Sequence, residues 1–262
     1  MSTVISSDGT VIDYDRYGQG HPVIFIGGMT QHRAIDQGTT EIATKLAAEG
    51  FTAIDYDRRG RGRSGDMAPW DLRREVEDVA ALIDAVGGPA TLYTSSSGAT
   101  VGLAAASEGV GVAALALYEP PLFPGAGHAE DLSALRALIA EGRHDEAVRH
   151  TMVHVMGLPE EAVEGMAQDP SWAGMVSVAP TFVYDLSAVH DVGTGPDWRT
   201  RWAGVTVPTV VFSGDATFPG MPEAADAVAA ALPNATRRVL PGQGHGPAAD
   251  AIVPALVEFL RP

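Results

Sequence analysis

Short, wholly apolar runs separated by amphipathic segments constrain this chain more than any other feature. Val23-Ile24-Phe25-Ile26 carries no polar residue, as suits a strand buried on both faces. Gln37 to Glu49 reads as a helix, with Ile42, Ala43, Leu46 and Ala47 on one face and Gly50 as its stop. Phe51 to Ile54 is the next strand. Trp70 to Val86 is the next helix, with Leu72, Val76, Val79, Leu82 and Ile83 at helical spacing. A strand ending near Ser95 breaks through small residues into a buried helix from Val101, and Val112 to Tyr118 is strand again. This alternation predicts an α/β fold, a mostly parallel doubly wound sheet with helices on both faces. In such sheets the working residues gather at the carboxyl ends of the strands. Gly28, Ser96 and whatever follows the later strands should therefore share one crevice.

The ends of the chain complete that frame. Asp8-Gly9 lies between two short β-prone runs and reads as a hairpin turn, with Val11 to Tyr17 as a half-exposed strand. Val205 to Phe212 resumes the strand pattern, followed by a helix from Pro222 to Leu232, a strand from Thr236 to Leu240 and a closing helix from Ala248. Between Pro124 and Trp202 only short helical stretches occur, at 132–141, 145–156, 159–168 and 179–189. The expected organisation is a core of residues 1–123 and 203–262 with a helical cap of residues 124–202. Met152, Met156, Trp172, Phe182 and Tyr184 in that cap are candidates for an apolar substrate pocket, although most of its methionines and aromatics should simply pack it onto the sheet.

Composition narrows the partners. The net charge is −16 and Lys45 is the sole lysine, so nucleic acid and anionic membranes are poor partners for this surface. The chain lacks cysteine, which removes disulfides, thiolate nucleophiles and cysteine-ligated metals together. No apolar run approaches the length of a membrane span, and Met1 to Ile5 has no basic flank or long apolar core. A cytoplasmic protein acting on a small apolar molecule, without metal or cofactor, is the expectation.

Several stretches carry chemistry. The turn Thr94-Ser95-Ser96-Ser97-Gly98 would hold its tip, Ser96, clear of both strand and helix, with only small neighbours. Gly27-Gly28-Met29 after a central strand lets backbone N–H groups face a ligand. His245 follows the final strand among glycines. Arg58, Arg59, Arg61 and Arg63 invite a phosphate-binding reading, but no loop ending in Gly-Lys-Ser/Thr is present. They are expected to pair with nearby Asp55, Asp57 and Asp66.

Taken in order, Asp8-Gly9, Gly27-Gly28, Asp57-Arg58-Arg59-Gly60-Arg61-Gly62-Arg63-Ser64, Ser96-x-Gly98, Tyr118-Glu119-Pro120-Pro121, Val207-Pro208-Thr209 and Gly242-Gln243-Gly244-His245 make the chain resemble an α/β-hydrolase over nearly its whole length. The resemblance implies a nucleophile elbow with Ser96 as nucleophile, His245 as base, and an oxyanion hole of N–H groups from Ser97 and from Gly28 or Met29. Two departures stand out. Thr94 replaces the first glycine of the elbow, so its strain must be met elsewhere in the backbone. The usual acid, in a Gly-x-x-Asp pattern from Gly214, is Thr217 here. Glu119, after the preceding strand, is the favoured acid, and Asp215 is its rival. Two functions follow from the resemblance: a serine hydrolase of an apolar ester, thioester or lactone, or a non-hydrolytic lyase, cyclase or binding protein with an incomplete triad.

Overall fold

The apolar runs become the centre of an eight-stranded sheet in the computed structural model, which describes residues 2–261. The strands are β1 (Ser2–Ile5), β2 (Val11–Gly18), β3 (Pro22–Ile26), β4 (Thr52–Tyr56), β5 (Ala90–Ser95), β6 (Val112–Tyr118), β7 (Thr209–Gly214) and β8 (Ala235–Leu240). Their order is β1-β2-β4-β3-β5-β6-β7-β8. β2 runs antiparallel to both neighbours, and from β4 to β8 every pairing is parallel. Parallel neighbours need crossovers, and the helices α1 (Gln37–Ala48), α2 (Leu72–Val86) and α3 (Gly98–Glu108) supply the first of them. The run read as strand from Val205 begins pairing only at Thr209, because Pro208 has no N–H to give a ladder.

Period-two alternation divides the core into two layers. Ile24, Ile26, Leu92, Leu115, Leu117 and Val211 point to one face, where they meet Val79 and Leu82 of α2 and Leu103 of α3. Val23, Phe25, Tyr93, Ala116, Tyr118 and Phe212 point to the other, against α1 and α11 (Ala249–Leu260). α2 starts two residues later than its periodicity suggests, because Asp71 caps it by accepting from the Arg73 N–H at 2.8 Å, and Gly87 closes it at φ 86°.

Between β6 and β7 come α4 (Ala129–Ala140), α5 (His144–His150), a π turn (Thr151–Val155), α6 (Glu160–Met166), α7 (Trp172–Val178), a 3₁₀ turn (Ala179–Thr181), α8 (Phe182–Thr194) and α9 (Trp198–Arg201). The helical stretches read from the sequence did not include α7 or the four-residue α9. The first part of this insertion has its own core, built on Leu135, Val148, Met152, Trp172, Phe182 and Leu186. Its later part joins the main core through Val189, Val192, Trp198 and Trp202, so the cap is stitched to the sheet layer rather than set apart from it. α10 (Met221–Ala231) then precedes β8. No helix among the described residues is long and apolar enough to cross a membrane.

The arginines after β4 are structural, but their partners differ from those expected. The Arg58 guanidinium forks onto Glu75 at 2.6 and 2.7 Å, and that of Arg59 onto Asp78 at 2.8 and 2.7 Å, both acids on α2. Arg59 also reaches Asp8 at 3.0 Å. Arg61 pairs with Asp185 of α8. A buried guanidinium requires a bidentate carboxylate that can be desolvated with it, and helix side chains facing the sheet meet that need better than carboxylates within the same loop. Asp57 binds the Arg33 guanidinium at 2.9 Å and, within its own loop as expected, accepts from the Arg63 N–H at 2.9 Å; Asp66 accepts from the Tyr184 hydroxyl at 2.8 Å, and Asp55 accepts from Thr40 at 2.9 Å.

Asp55 is buried on β4 with only the Thr40 hydroxyl as hydrogen-bond donor among the described residues, and burial pushes its carboxyl up to about 7 from 3.8. A raised folded-state value means that the folded chain holds a proton which the unfolded chain releases. The contribution of Asp55 to stability is then most favourable below about pH 4 and declines between there and about pH 7. Asp55→Asn should remove that decline. In urea melts at pH 4 and pH 8, the variant should gain on the order of 2 kcal/mol over the parent at the higher pH only.

Candidate active site

Two side-chain-bearing residues among the described chain have positive φ: Ser96 at 52° and Glu119 at 46°. Each directly follows one of two adjacent parallel strands, β5 and β6. A left-handed residue with a Cβ costs on the order of 1–3 kcal/mol and persists only where its surroundings over-determine it. Here the ladder does so. Ser96 N–H donates to Tyr118 O and Glu119 N–H to Phe212 O, both at 2.9 Å, which continues the β5–β6–β7 pairing one residue past the strands. Ser96 is thereby turned out of the sheet at the start of α3.

Close glycine contacts make room for this turn. A Cβ on Gly98 would lie 2.6 Å from Ile26 O and 2.8 Å from Gly27 O, so α3 can approach β3 only with glycine there. A Cβ on Gly102 would lie 2.6 Å from Thr94 Cγ2. This answers the departure at 94: the threonine methyl occupies space that Gly102 vacates one helical turn into α3. Gly102 is a residue whose role the sequence reading missed.

Glu119 is fully buried and its carboxylate is saturated. Oε1 accepts from the Gly214 N–H at 2.8 Å, while Oε2 accepts from the Thr217 hydroxyl at 2.6 Å and lies 2.6 Å from His245 Nδ1. Burial raises its affinity for a proton, but His245, Thr217 and Gly214 outweigh this and hold it below the ordinary 4.5. An ionised carboxylate can only accept, so the shared proton belongs to Nδ1, and Nε2 is left with its lone pair. The ring of Phe218 lies 5.3 Å from the imidazole, and the Tyr118 hydroxyl donates to Gly244 O in the loop that carries it. Ser96 Oγ has no hydrogen bond among the described residues, and His245 Nε2 has none either.

The rival acid does not touch the histidine. Asp215 Oδ1 accepts from the Gly242 N–H at 2.6 Å and so ties the β7 loop to the start of the His245 loop. Thr217, standing where a carboxylate is usual, donates to Glu119 instead. Its side chain was legible in the sequence only as an absent acid.

Gly28 and Met29 take different parts. The Gly28 N–H is given to Gln31 Oε1, so it is not free to serve as an oxyanion donor. The N–H groups of Met29 and Ser97 have no partner among the described residues. Gly28 itself must be small, since a Cβ there would lie 3.0 Å from Ser96 Cβ.

The cap candidates are largely structural. Phe182 has no surface open to a water-sized molecule and, with Met152 and Trp172, builds the cap core, against which Met156 packs. Trp172 also donates to Asp145 at 2.7 Å. Tyr184 stacks on Trp70 at 4.9 Å and bonds Asp66, fastening the cap to the loop before α2. Phe182 and Trp172 are buried within this core, and Tyr184 is partly exposed beside Trp70. Met29 is the one residue of the loop after β3 that joins this cap core.

The packing of Thr94 on Gly102 can be measured. Gly102→Ala should cost about 1–3 kcal/mol by overpacking. In a Thr94→Ala background, where the clashing methyl is gone, the same change should cost much less. A double-mutant cycle of denaturant melts would give the coupling.

Comparison with known proteins agrees with this architecture. A model described as the alpha/beta hydrolase family matches residues 23–255. A solved alpha/beta hydrolase from Sphaerobacter thermophilus is 43% identical, covers 99% of this chain and 100% of its own, and superposes with a TM-score of 0.89. A non-heme haloperoxidase of Rhodococcus erythropolis is 25% identical over 282 aligned positions, and a non-heme chloroperoxidase of Streptomyces lividans 28% over 283, with all of both chains covered in each case. With its sheet order, its strained serine turn and this match, the chain belongs to the alpha/beta hydrolase family and is an enzyme of hydrolase type.

Proposed function

We propose that the protein is a serine hydrolase that cleaves an ester, thioester or lactone of a fairly apolar small molecule through an acyl-enzyme on Ser96. One observation carries the reading: the left-handed Ser96 stands at the end of the strand beside the one that presents Glu119, and Glu119 holds His245 Nδ1 at 2.6 Å. Ser96 Oγ attacks the acyl carbon as His245 Nε2 takes its proton, and the carbonyl oxygen becomes an oxyanion. The N–H groups of Met29 and Ser97 receive that oxyanion. The leaving oxygen or sulfur departs with the proton from Nε2. Water then repeats the sequence: it gives a proton to Nε2, attacks the acyl carbon, and releases the acid as Ser96 recovers its proton. Ionised Glu119 fixes the tautomer and stabilises the imidazolium formed in both halves.

The apolar preference follows from the cap, whose core includes Met29 beside the oxyanion donors. The non-hydrolytic alternative rested on the missing acid at 217. Glu119 on His245 supports the hydrolytic reading over it.

Ser96→Ala should abolish turnover of p-nitrophenyl esters while leaving the melting temperature within a few degrees, and a fluorophosphonate should label Ser96 in the parent alone, as read by mass spectrometry. Across an acyl-length series, rates should peak at medium-length apolar chains and not at acetate. Glu119→Gln should lose on the order of 10³- to 10⁴-fold in kcat, as removal of the orienting acid does in serine proteases, with Asp215→Asn losing less than about tenfold. Adding Thr217→Asp to Glu119→Gln should restore part of that loss, because it returns a carboxylate to the loop after β7. Equal losses for Glu119→Gln and Asp215→Asn would remove Glu119 from the role.

A further inference from the structure

Behind the loop after β3, one carboxylate from the inserted helices joins groups that belong to both oxyanion donors. Asp185 of α8 is fully buried. Its Oδ1 accepts from the Ser97 hydroxyl at 2.7 Å and from Arg58 Nη1 at 2.6 Å, and its Oδ2 accepts from Arg61 Nη2. Arg61 then donates through Nη1 to Gly28 O at 2.5 Å, and through Nε to Thr181 Oγ1 at 3.0 Å. Arg58 Nη1 also reaches Gly27 O at 3.1 Å.

The Gly28 carbonyl and the Met29 N–H are opposite ends of one trans peptide unit, so fixing one direction fixes the other. A guanidinium on the carbonyl pins the Met29 N–H and polarises that unit, which makes its hydrogen a stronger donor. The same Asp185 that orients this guanidinium holds the hydroxyl of Ser97, the residue that supplies the second N–H. A group that fixes donors before charge develops spares the transition state the work of reorienting them.

We propose that Arg61 and Asp185 are positioning residues of the oxyanion hole, and that the inserted helices complete this hole by delivering Asp185 to it. The inference rests on the serine-hydrolase reading above and adds a role that reading does not require. Buried ion pairs also occur for purely structural reasons, so the decisive measurement must respond to the oxyanion and not to folding.

Matched oxygen esters and thionoesters provide it. A thionoester develops its charge on sulfur, a larger and weaker hydrogen-bond acceptor, and gains less from well-aimed N–H groups. Ser97→Ala keeps the backbone donor and removes only the bond to Asp185. It should lower kcat for the oxygen ester about tenfold with KM within about twofold, and lower the oxygen-to-thiono rate ratio several-fold. Asp185→Asn should lower both further. Arg61→Lys, which can still donate to Gly28 O, should recover activity relative to Arg61→Met. If an Arg61 or Asp185 variant fails to fold, Ser97→Ala still gives the answer.

The inference is overturned if folded Ser97→Ala, at parental melting temperature, loses both rates in equal proportion or neither. The parent separates this from failure of the hydrolase reading. If the parent turns over both esters through Ser96, only the positioning role falls; if Ser96→Ala retains parental turnover, both readings fall.

Discussion

The site depends on two residues held in backbone conformations that side chains resist. Ser96 and Glu119 both adopt positive φ, and neither has the excuse of being glycine. What holds them is the sheet itself: their N–H groups make the next rung of the ladder, to Tyr118 and Phe212 respectively. A parallel sheet with its strands in register therefore presents these two side chains one strand apart and just beyond its edge. Strain of this kind is stable only when the surrounding hydrogen bonds and packing are worth more than it costs. In this molecule they are the central strands, whose carboxyl-terminal halves are buried on both faces.

Small residues carry a large part of that arrangement. Gly98 allows the helix after the turn to touch the carbonyls of β3, and Gly28 allows the next loop to touch Ser96. Thr94 and Gly102 exchange volume between strand and helix. The threonine methyl on the strand side fills space that Gly102 leaves on the helix side. The carboxylate on His245 comes from the end of β6, and the loop after β7 supplies the Thr217 hydroxyl that donates to it.

The buried charges bind the layers together. Arg58 and Arg59 clasp carboxylates of α2, and Arg58 and Arg61 share Asp185 with Ser97. Removing a single partner would leave an uncompensated charge in the interior, which makes the set cooperative and ties the cap to the turn that displays Ser96. Tyr184 on Trp70 and Asp66 makes a second attachment at the surface. The inserted helices are thus held by these polar contacts together with the apolar anchors Val189, Val192, Trp198 and Trp202, while their own apolar core reaches the Met29 loop.

The amino-acid sequence by itself determined the strand and helix succession, because burial on two faces demands unbroken apolar runs and crossovers demand amphipathic helices. It also singled out Ser96 and His245, because a sharp strand-to-helix turn and a glycine-rich loop are local features, whereas Glu119 came forward only through the resemblance to a family. It left Glu119 and Asp215 as rivals, since which carboxylate reaches an imidazole depends on loops separated by more than a hundred residues in the case of Glu119. Only the tertiary structure decided that contact, gave the Gly28 N–H to Gln31, matched Thr94 to Gly102 and sent the arginines to Glu75, Asp78 and Asp185. Each is a non-local encounter whose partner is set by how helices cross the sheet. Chain spacing carries no record of such distances; packing alone creates them.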